Sequence, residues 1–256
     1  MNAGSACLRQ IVDFILPYRC AICGSVADGD GRMSYISRRY LEIFGRESDI
    51  HICGKCLAAI EPYAPSDRWH LCLSNPFAGD KIPGQVLYIA MPYKGIVTRM
   101  IPAVKFSGMK EIARLLGIVL SEMLRDEKIS ADIVIPVPLS SERAAQRGFN
   151  QAEEIARPVS DVLDLPLVTD CLIRTRNTGR QTETHDIIDR MENVRGAFEV
   201  ADSWDITGLT VILTDDVATT GFTMHEAALA LMEAGAGKVL CVAMAGNRRV
   251  KNADPF

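Results

Sequence analysis

The chain is predicted to be an α/β protein, a mainly parallel sheet flanked by helices and preceded by a small zinc-ribbon module. Three observations carry this expectation. From residue 86 onward, short apolar β-branched runs alternate with stretches of helical periodicity, as parallel strands joined by helical crossovers do. One run, Val211–Leu213, leads into two adjacent carboxylates and a small polar loop, placed where open α/β sheets bind ligands. The N-terminal part holds two Cys-x-x-Cys pairs, the spacing of a structural metal site.

In chain order, Leu8–Leu16 reads as a short amphipathic helix ending before Pro17. Arg9 and Asp13 interrupt its apolar face and make it a poor signal peptide, so the expected compartment is the cytoplasm. Cys20-x-x-Cys23 and Cys53-x-x-Cys56 follow, each with a glycine, Gly24 or Gly54, that permits the tight turn two thiolates need to face one ion. The expected ligand set for structural Zn²⁺ is Cys20, Cys23, Cys53 and Cys56. Four reduced, unrelated cysteines are the alternative. His51 is a spare donor, and the four-thiolate set is complete without it. Cys7, Cys171 and Cys241 lack partner spacing and read as small buried hydrophobes, while His70 and Cys72 give only two donors of any second site.

Pro, Ser, Asp and Asn concentrate between Leu57 and Gly84, which marks a boundary between a module at 1–80 and a main domain at 84–256. In the main domain, strands are expected at Val86–Ala90, Ile133–Val137, Val211–Leu213 and Val239–Ala243. Helices are expected at Ile96–Val104, Ile112–Leu124, Gln151–Leu163 and Met224–Ala234.

With 256 residues, 48% apolar and 23% charged, the chain can bury one sizeable core. A net charge of −4 gives no global attraction to nucleic acid or anionic membrane, so such contacts need a local patch. No apolar run approaches the roughly 20 residues of a membrane helix.

The chemistry concentrates at 211–223. Asp215 and Asp216 stand at a strand end, and Ala218-Thr219-Thr220-Gly221-Phe222-Thr223 opens a helix. Gly221 allows a tight turn, and hydroxyls with free N–H groups at a helix N-terminus suit a phosphate. Acids beside an anion cradle describe a ligand with a diol at one end and a phosphate at the other, a ribose 5-phosphate. A lone Asp-Asp at a strand end is more often a helix-capping turn; the whole pattern in register favours the ligand. Upstream, Ile135-Pro136-Val137-Pro138 fixes a stiff strand exit, so the N–H groups of Leu139, Ser140 and Ser141 can be held toward an anion. Arg143 and Arg147 follow, and Arg174–Thr182 is polar, basic and turn-prone, with Arg176 and Arg180 in it. A solvated basic hairpin is the bland reading of those arginines.

The 211–223 segment resembles the phosphoribosyl pyrophosphate (PRPP) loop of type I phosphoribosyltransferases. The proline-fixed loop, the basic segment and the acid pair come in the order that family requires, as in the amidophosphoribosyltransferases. The wider set is similar to the ComF, or GntX-like, family of competence protein F-like chains. It comprises the Cys-x-x-Cys pairs, Tyr93-Lys94-Gly95 with Val104-Lys105-Phe106, Arg147-Gly148-Phe149-Asn150-Gln151, Gly179–Thr182, Arg190 with Asn193, and Asp215–Thr223. Where many members carry further Cys-x-x-Cys pairs, this chain has only Cys72, which disfavours a second zinc.

The resemblance implies displacement of pyrophosphate from C1 of PRPP through an oxocarbenium-like transition state, with Mg²⁺. Asp215 and Asp216 would hold the ribose hydroxyls, directly or through Mg²⁺, and residues 218–223 the 5-phosphate. Leu139, Ser140 and Ser141 would hold pyrophosphate and Arg176 or Arg180 would close over it. Lys105, Arg143 and Arg147 are further candidates for phosphate contact. Purine-salvage relatives carry an acid at the position of Thr219, so a purine acceptor is disfavoured. Three function classes follow: a PRPP-dependent transferase, a single-stranded-DNA-handling factor working with DNA-uptake proteins, and a PRPP-sensing regulator without turnover.

Overall fold

The computed structural model describes residues 19–26, 35–45, 51–60, 71–74, 81–176 and 194–246. The Leu8–Leu16 helix, Cys7, His70, the Gly179–Thr182 segment with Arg180, Arg190 and Asn193 lie outside the described residues, as does the side chain of Cys72.

Five strands make the main sheet: β1 (Leu71–Ser74), β2 (Lys81–Pro92), β3 (Ile133–Pro136), β6 (Thr210–Ala218) and β7 (Lys238–Gly246). Their order is β1-β2-β7-β6-β3, with β1 antiparallel to β2 and every other pair parallel. A separate antiparallel pair joins β4 (Leu172–Arg174) to β5 (Phe198–Val200). The described helices are α1 (Tyr35–Phe44), α2 (Gly54–Ala58), α3 (Val97–Ser107), α4 (Lys110–Asp126), α5 (Ser141–Arg147), α6 (Gln151–Leu163) and α7 (Phe222–Glu233).

Residue alternation along the strands builds two cores, because successive side chains leave opposite faces. Val211, Leu213, Ile133, Ile135, Val239 and Cys241 pack with α7 and the β4–β5 pair. Ile212, Val134, Leu240 and Val242 pack with α3, α4 and α6. The helix preceding β6 therefore covers one face and the helix following it the other. A reversal of this kind opens a crevice at the carboxyl end of the strand, where α/β sheets take ligands.

Local sequence explains the helices that frame this crevice. Asn150 caps α6 by accepting from the Ala152 amide at 3.1 Å, and Glu153 and Glu154 in its first turn suit the helix dipole. Gly108, left-handed at φ 67, separates α3 from α4. Gly117 lets α4 and α6 touch: a Cβ there would stand 2.5 Å from the Ile155 carbonyl oxygen. Arg114 of α4 donates to Glu154 of α6 at 2.7 Å across the same contact.

Three of the differences from the sequence reading bear on the site. The expected linker contains β1, which pairs with β2, so residues 71–74 belong to the main sheet. Strand β6 runs on to Ala218, because its ladder with β7 continues to Ala218↔Gly246. Asp215 and Asp216 thus leave the strand itself rather than following it. Helix α7 opens at Phe222, two residues before the expected Met224.

The cysteine-bearing segments and α1 pack on the main domain. Tyr40 clusters with Leu115 and Ile118 of α4, and Arg39 Nε donates to Glu122 at 3.1 Å. Cys20, Cys53 and Cys56 pack beside Ile96 at the start of α3.

Candidate functional site

The acid pair sits deep in the crevice. Asp216 is buried, and its carboxylate meets Lys105 Nζ of α3 at 2.9 Å. Asp215 is half-buried, and its Oδ1 accepts from the Asp216 amide at 2.7 Å. Burial, and then the charge of Asp216, push the Asp215 carboxyl up to about 7, with Lys105 and Arg174 opposing. Lys105 offsets the charge of one carboxylate, while burial raises the proton affinity of the other. Lys105 is thus paired with an acid of the site.

Beyond the acids, Thr219 and Thr220 are exposed, and Gly221 takes a left-handed turn (φ 75) that only glycine adopts easily. That turn brings the first amides of α7 to the carboxyl end of β6, where a helix leaves its N–H groups without intrahelical partners. Thr220 Oγ1 accepts from the Phe222 amide at 3.4 Å. Phe222 itself is buried and braces the loop, while Thr223 is partly exposed. Ala218 ends the strand tightly: a Cβ on Gly246 would lie 2.8 Å from its carbonyl oxygen. Exposed hydroxyls and helix-end amides thus lie together one step past the two carboxylates, the kind of arrangement that can receive an anion.

The loop after β3 lies on the neighbouring strand. Leu139 is half-buried and Ser141 exposed. Ser140 is buried, with its Oγ turned inward to cap α5 by accepting from the Arg143 amide at 3.4 Å. Its hydroxyl is therefore engaged in the cap, and the loop presents backbone. Arg143 is exposed. Arg147 donates to Gln151 at 2.8 Å and lies 5.9 Å from the Phe106 ring centroid, so it is engaged locally. Arg176 is exposed, and its guanidinium donates to the Arg195 carbonyl at 3.4 Å.

One arginine of the basic segment has surroundings that the sequence did not show. Arg174, at the end of β4, is half-buried with its guanidinium 5.4 Å from the Phe198 ring centroid. Burial and the nearby Arg143 pull its pKa down, while Asp215 opposes. Two arginines and one acid of the pair are therefore within electrostatic reach of each other. The only sequence signal was its place at the edge of the basic segment. On α7, Glu226 accepts from the Gly196 amide at 2.7 Å, and buried His225 stacks on Phe222 with ring centroids 6.1 Å apart.

The second candidate site is the cysteine cluster. The Sγ atoms of Cys20, Cys23, Cys53 and Cys56 all lie within 4.8 Å of one another. Cys23 and Cys53 are 3.7 Å apart, and a tetrahedron with 2.3 Å Zn–S bonds has edges of about 3.8 Å. The donor set fits zinc. Gly24 turns the first knuckle at φ 72, where its amide donates to the Cys20 carbonyl. Gly54 differs from expectation: it is the first residue of α2, so the second knuckle is a helix start. The Ser25 hydroxyl and amide hold the Cys23 thiol down at about 6, whereas burial pushes Cys56 upward. Cys171 and Cys241 are fully buried in the core.

No described helix is long and apolar enough to cross a membrane.

Residues 110–254 match the model of the phosphoribosyl transferase domain family. The chain is 30% identical over 196 residues to the DNA utilization protein YhgH of Salmonella typhimurium, covering 74% of this chain and 82% of that protein. It is 30% identical over 189 residues to competence protein F of Haemophilus influenzae, covering 73% of this chain and 81% of that protein. Among solved structures, the glutamine PRPP amidotransferase of B. subtilis is similar over 52% of this chain and 26% of that chain, at 22% identity and a TM-score of 0.36.

Proposed function

The chain belongs to the ComF-like family of type I phosphoribosyltransferases, and from that premise we propose that it binds PRPP with Mg²⁺ at the carboxyl end of β6. The observation that carries the reading is the continuity of the buried acid pair with the Gly221 turn and the exposed Thr219 and Thr220 at the start of α7. Asp215 and Asp216 hold the ribose hydroxyls. The backbone and hydroxyls of 218–223 hold the 5-phosphate, and the amides of Leu139, Ser140 and Ser141 the pyrophosphate. Arg176 supplies charge over the pyrophosphate, with Arg174 and Arg143 as further cations of the site, and Arg180 is kept as a candidate for the same role from sequence alone. Mg²⁺ would supply positive charge to the ligand's phosphates, and Asp215 and Asp216 are the side chains that would hold it.

In turnover the C1–O bond to pyrophosphate breaks, its electron pair leaving with pyrophosphate, while an acceptor atom bonds C1 and gives up its proton. The chain contributes positioning, and negative charge beside a C1 that becomes cationic. Lys105 tempers that charge while the site is empty. Pyrophosphate release from PRPP across a panel of amine and nucleobase acceptors separates an enzyme from a sensor that binds without turnover.

The relatives' names, DNA utilization protein and competence protein, favour one further reading, a role in DNA handling, for which we propose contact with single-stranded DNA. A thermal-shift screen with Mg²⁺–PRPP, nucleotides and single-stranded oligonucleotides distinguishes these, since a ligand of the native state raises the melting temperature. A shift with Mg²⁺–PRPP and none with oligonucleotides supports the small-molecule reading. The reverse pattern transfers the phosphate sites to a nucleic-acid backbone. The zinc cluster is proposed as a structural Zn²⁺ site.

A further inference from the structure

Four hydrogen bonds form a closed ring between the loop after β3, the start of α6 and strand β6. The Val137 amide donates to the Thr214 carbonyl at 2.9 Å. Thr214 Oγ1 donates to the Ala152 carbonyl at 3.3 Å. The Ala152 amide donates to Asn150 Oδ1 at 3.1 Å, and Asn150 Nδ2 donates to the Val137 carbonyl at 3.0 Å. Each of the four residues gives one hydrogen and accepts one. The ring stands immediately before both halves of the proposed site, since Pro138–Ser141 follow Val137 and Asp215 follows Thr214.

We infer that Asn150 is a positioning residue, whose side-chain amide fixes the distance between the anion loop at 138–141 and the acid pair. This assignment rests on the PRPP reading of the site and gives the Arg147–Gln151 string a purpose. Only an amide fits the role: one end must accept from Ala152 and the other must donate to Val137, whose carbonyl belongs to a buried residue. Arg147 and Gln151 support it from either side. Gln151 is buried and accepts from Arg147, which holds the turn at Gly148 (φ 71) against the helix start. Thr214 is fully buried and has its hydroxyl in the ring. The loop and the acids therefore move together or not at all, and a pyrophosphate bound at one end stays in register with a ribose held at the other.

Asn150→Asp separates the two functions of the residue. The aspartate still caps α6 but cannot donate, and it sets a second acceptor against the Val137 carbonyl. With the fold retained, amide exchange at residues 139–141 should speed up, and Mg²⁺–PRPP affinity should fall about tenfold, the effect of one unmade buried hydrogen bond. Thr214→Val breaks the same ring from β6 with almost no change of shape. It should give the same direction, and less than additively with Asn150→Asp. It also serves alone if the aspartate variant fails to fold.

Unchanged affinity in a folded variant overturns the positioning role, whatever the exchange rates. A wild-type protein that binds no Mg²⁺–PRPP overturns the proposed function instead. The exchange arm then decides the inference: faster exchange at 139–141 supports the ring as the loop's brace, and unchanged exchange rejects it.

Discussion

Asp215 is half-buried, accepts from the next residue's amide and neighbours a second carboxylate, and its proton affinity is raised accordingly. A carboxyl whose folded pKa stands near 7, above the ordinary value of 3.8, binds a proton in the native state that the unfolded chain has lost. Its contribution to stability is therefore full below about pH 4, declines as pH rises toward 7, and is flat above. A diol or a cation on the site needs the charged form, so ligand binding near pH 6 should expel a proton. Calorimetry of Mg²⁺–PRPP binding in buffers of different ionisation enthalpy should show more proton release by the wild type than by Asp215→Asn at pH 6, where the ligand's phosphate also titrates, and little in either at pH 8.5. Equal buffer dependence in the two proteins at pH 6 would remove this account of Asp215. The acid pair itself was legible in sequence because two carboxylates and a Thr-Thr-Gly turn are a local pattern. The partners were not, because Lys105 and Arg174 reach the pair from α3 and β4, and a contact across the fold leaves no spacing to read.

Among the elements, the strands with continuous apolar runs, β3, β6 and β7, were legible because burial on both faces demands such runs. β1, the first half of β2 and the β4–β5 pair were not: short or edge strands carry polar and proline residues that read as linker. Helix α1 carries an amphipathic pattern in a segment read only for its cysteines. The α4–α6 contact, which supports the acid pair from behind, depends on a glycine that periodicity does not single out. Gly117→Ala would force a Cβ to 2.5 Å from the Ile155 carbonyl, and overpacking of this kind costs about 1–3 kcal/mol. Its melting temperature should drop by several degrees, with PRPP affinity weakened because α6 carries Asn150 into the site. An unchanged melting temperature would show that the two helices can part without cost.

At the scale of the molecule, a metal-type cysteine cluster sits against the start of α3, the helix that carries Lys105 to Asp216. Zinc at this cluster would contribute folding energy of its own, on the order of 10 kcal/mol in comparable small sites. Chelation of freshly purified, reduced protein should release one zinc per chain and raise amide exchange at residues 19–26 and 51–60. The sheet should stay protected, β1 included, because β1 is laddered to β2. Elemental analysis finding no zinc would eliminate the metal reading. The cysteine spacing announced this cluster, but the packing of α1 and Ile96 on the main domain was visible only in three dimensions.

The claim on which the rest depends is that the β6 carboxyl end is a PRPP site. Its most direct measurement is titration calorimetry of Mg²⁺–PRPP into the wild-type protein and into the Asp215→Asn, Asp216→Asn double variant, with melting curves recorded alongside. Wild type should bind one PRPP per chain. The variant should remain folded and lose binding by at least a hundredfold, about 2.7 kcal/mol, since both ribose-holding carboxylates are gone. Equal affinity in the two proteins, or no binding by a folded wild type with Mg²⁺ present, would contradict it.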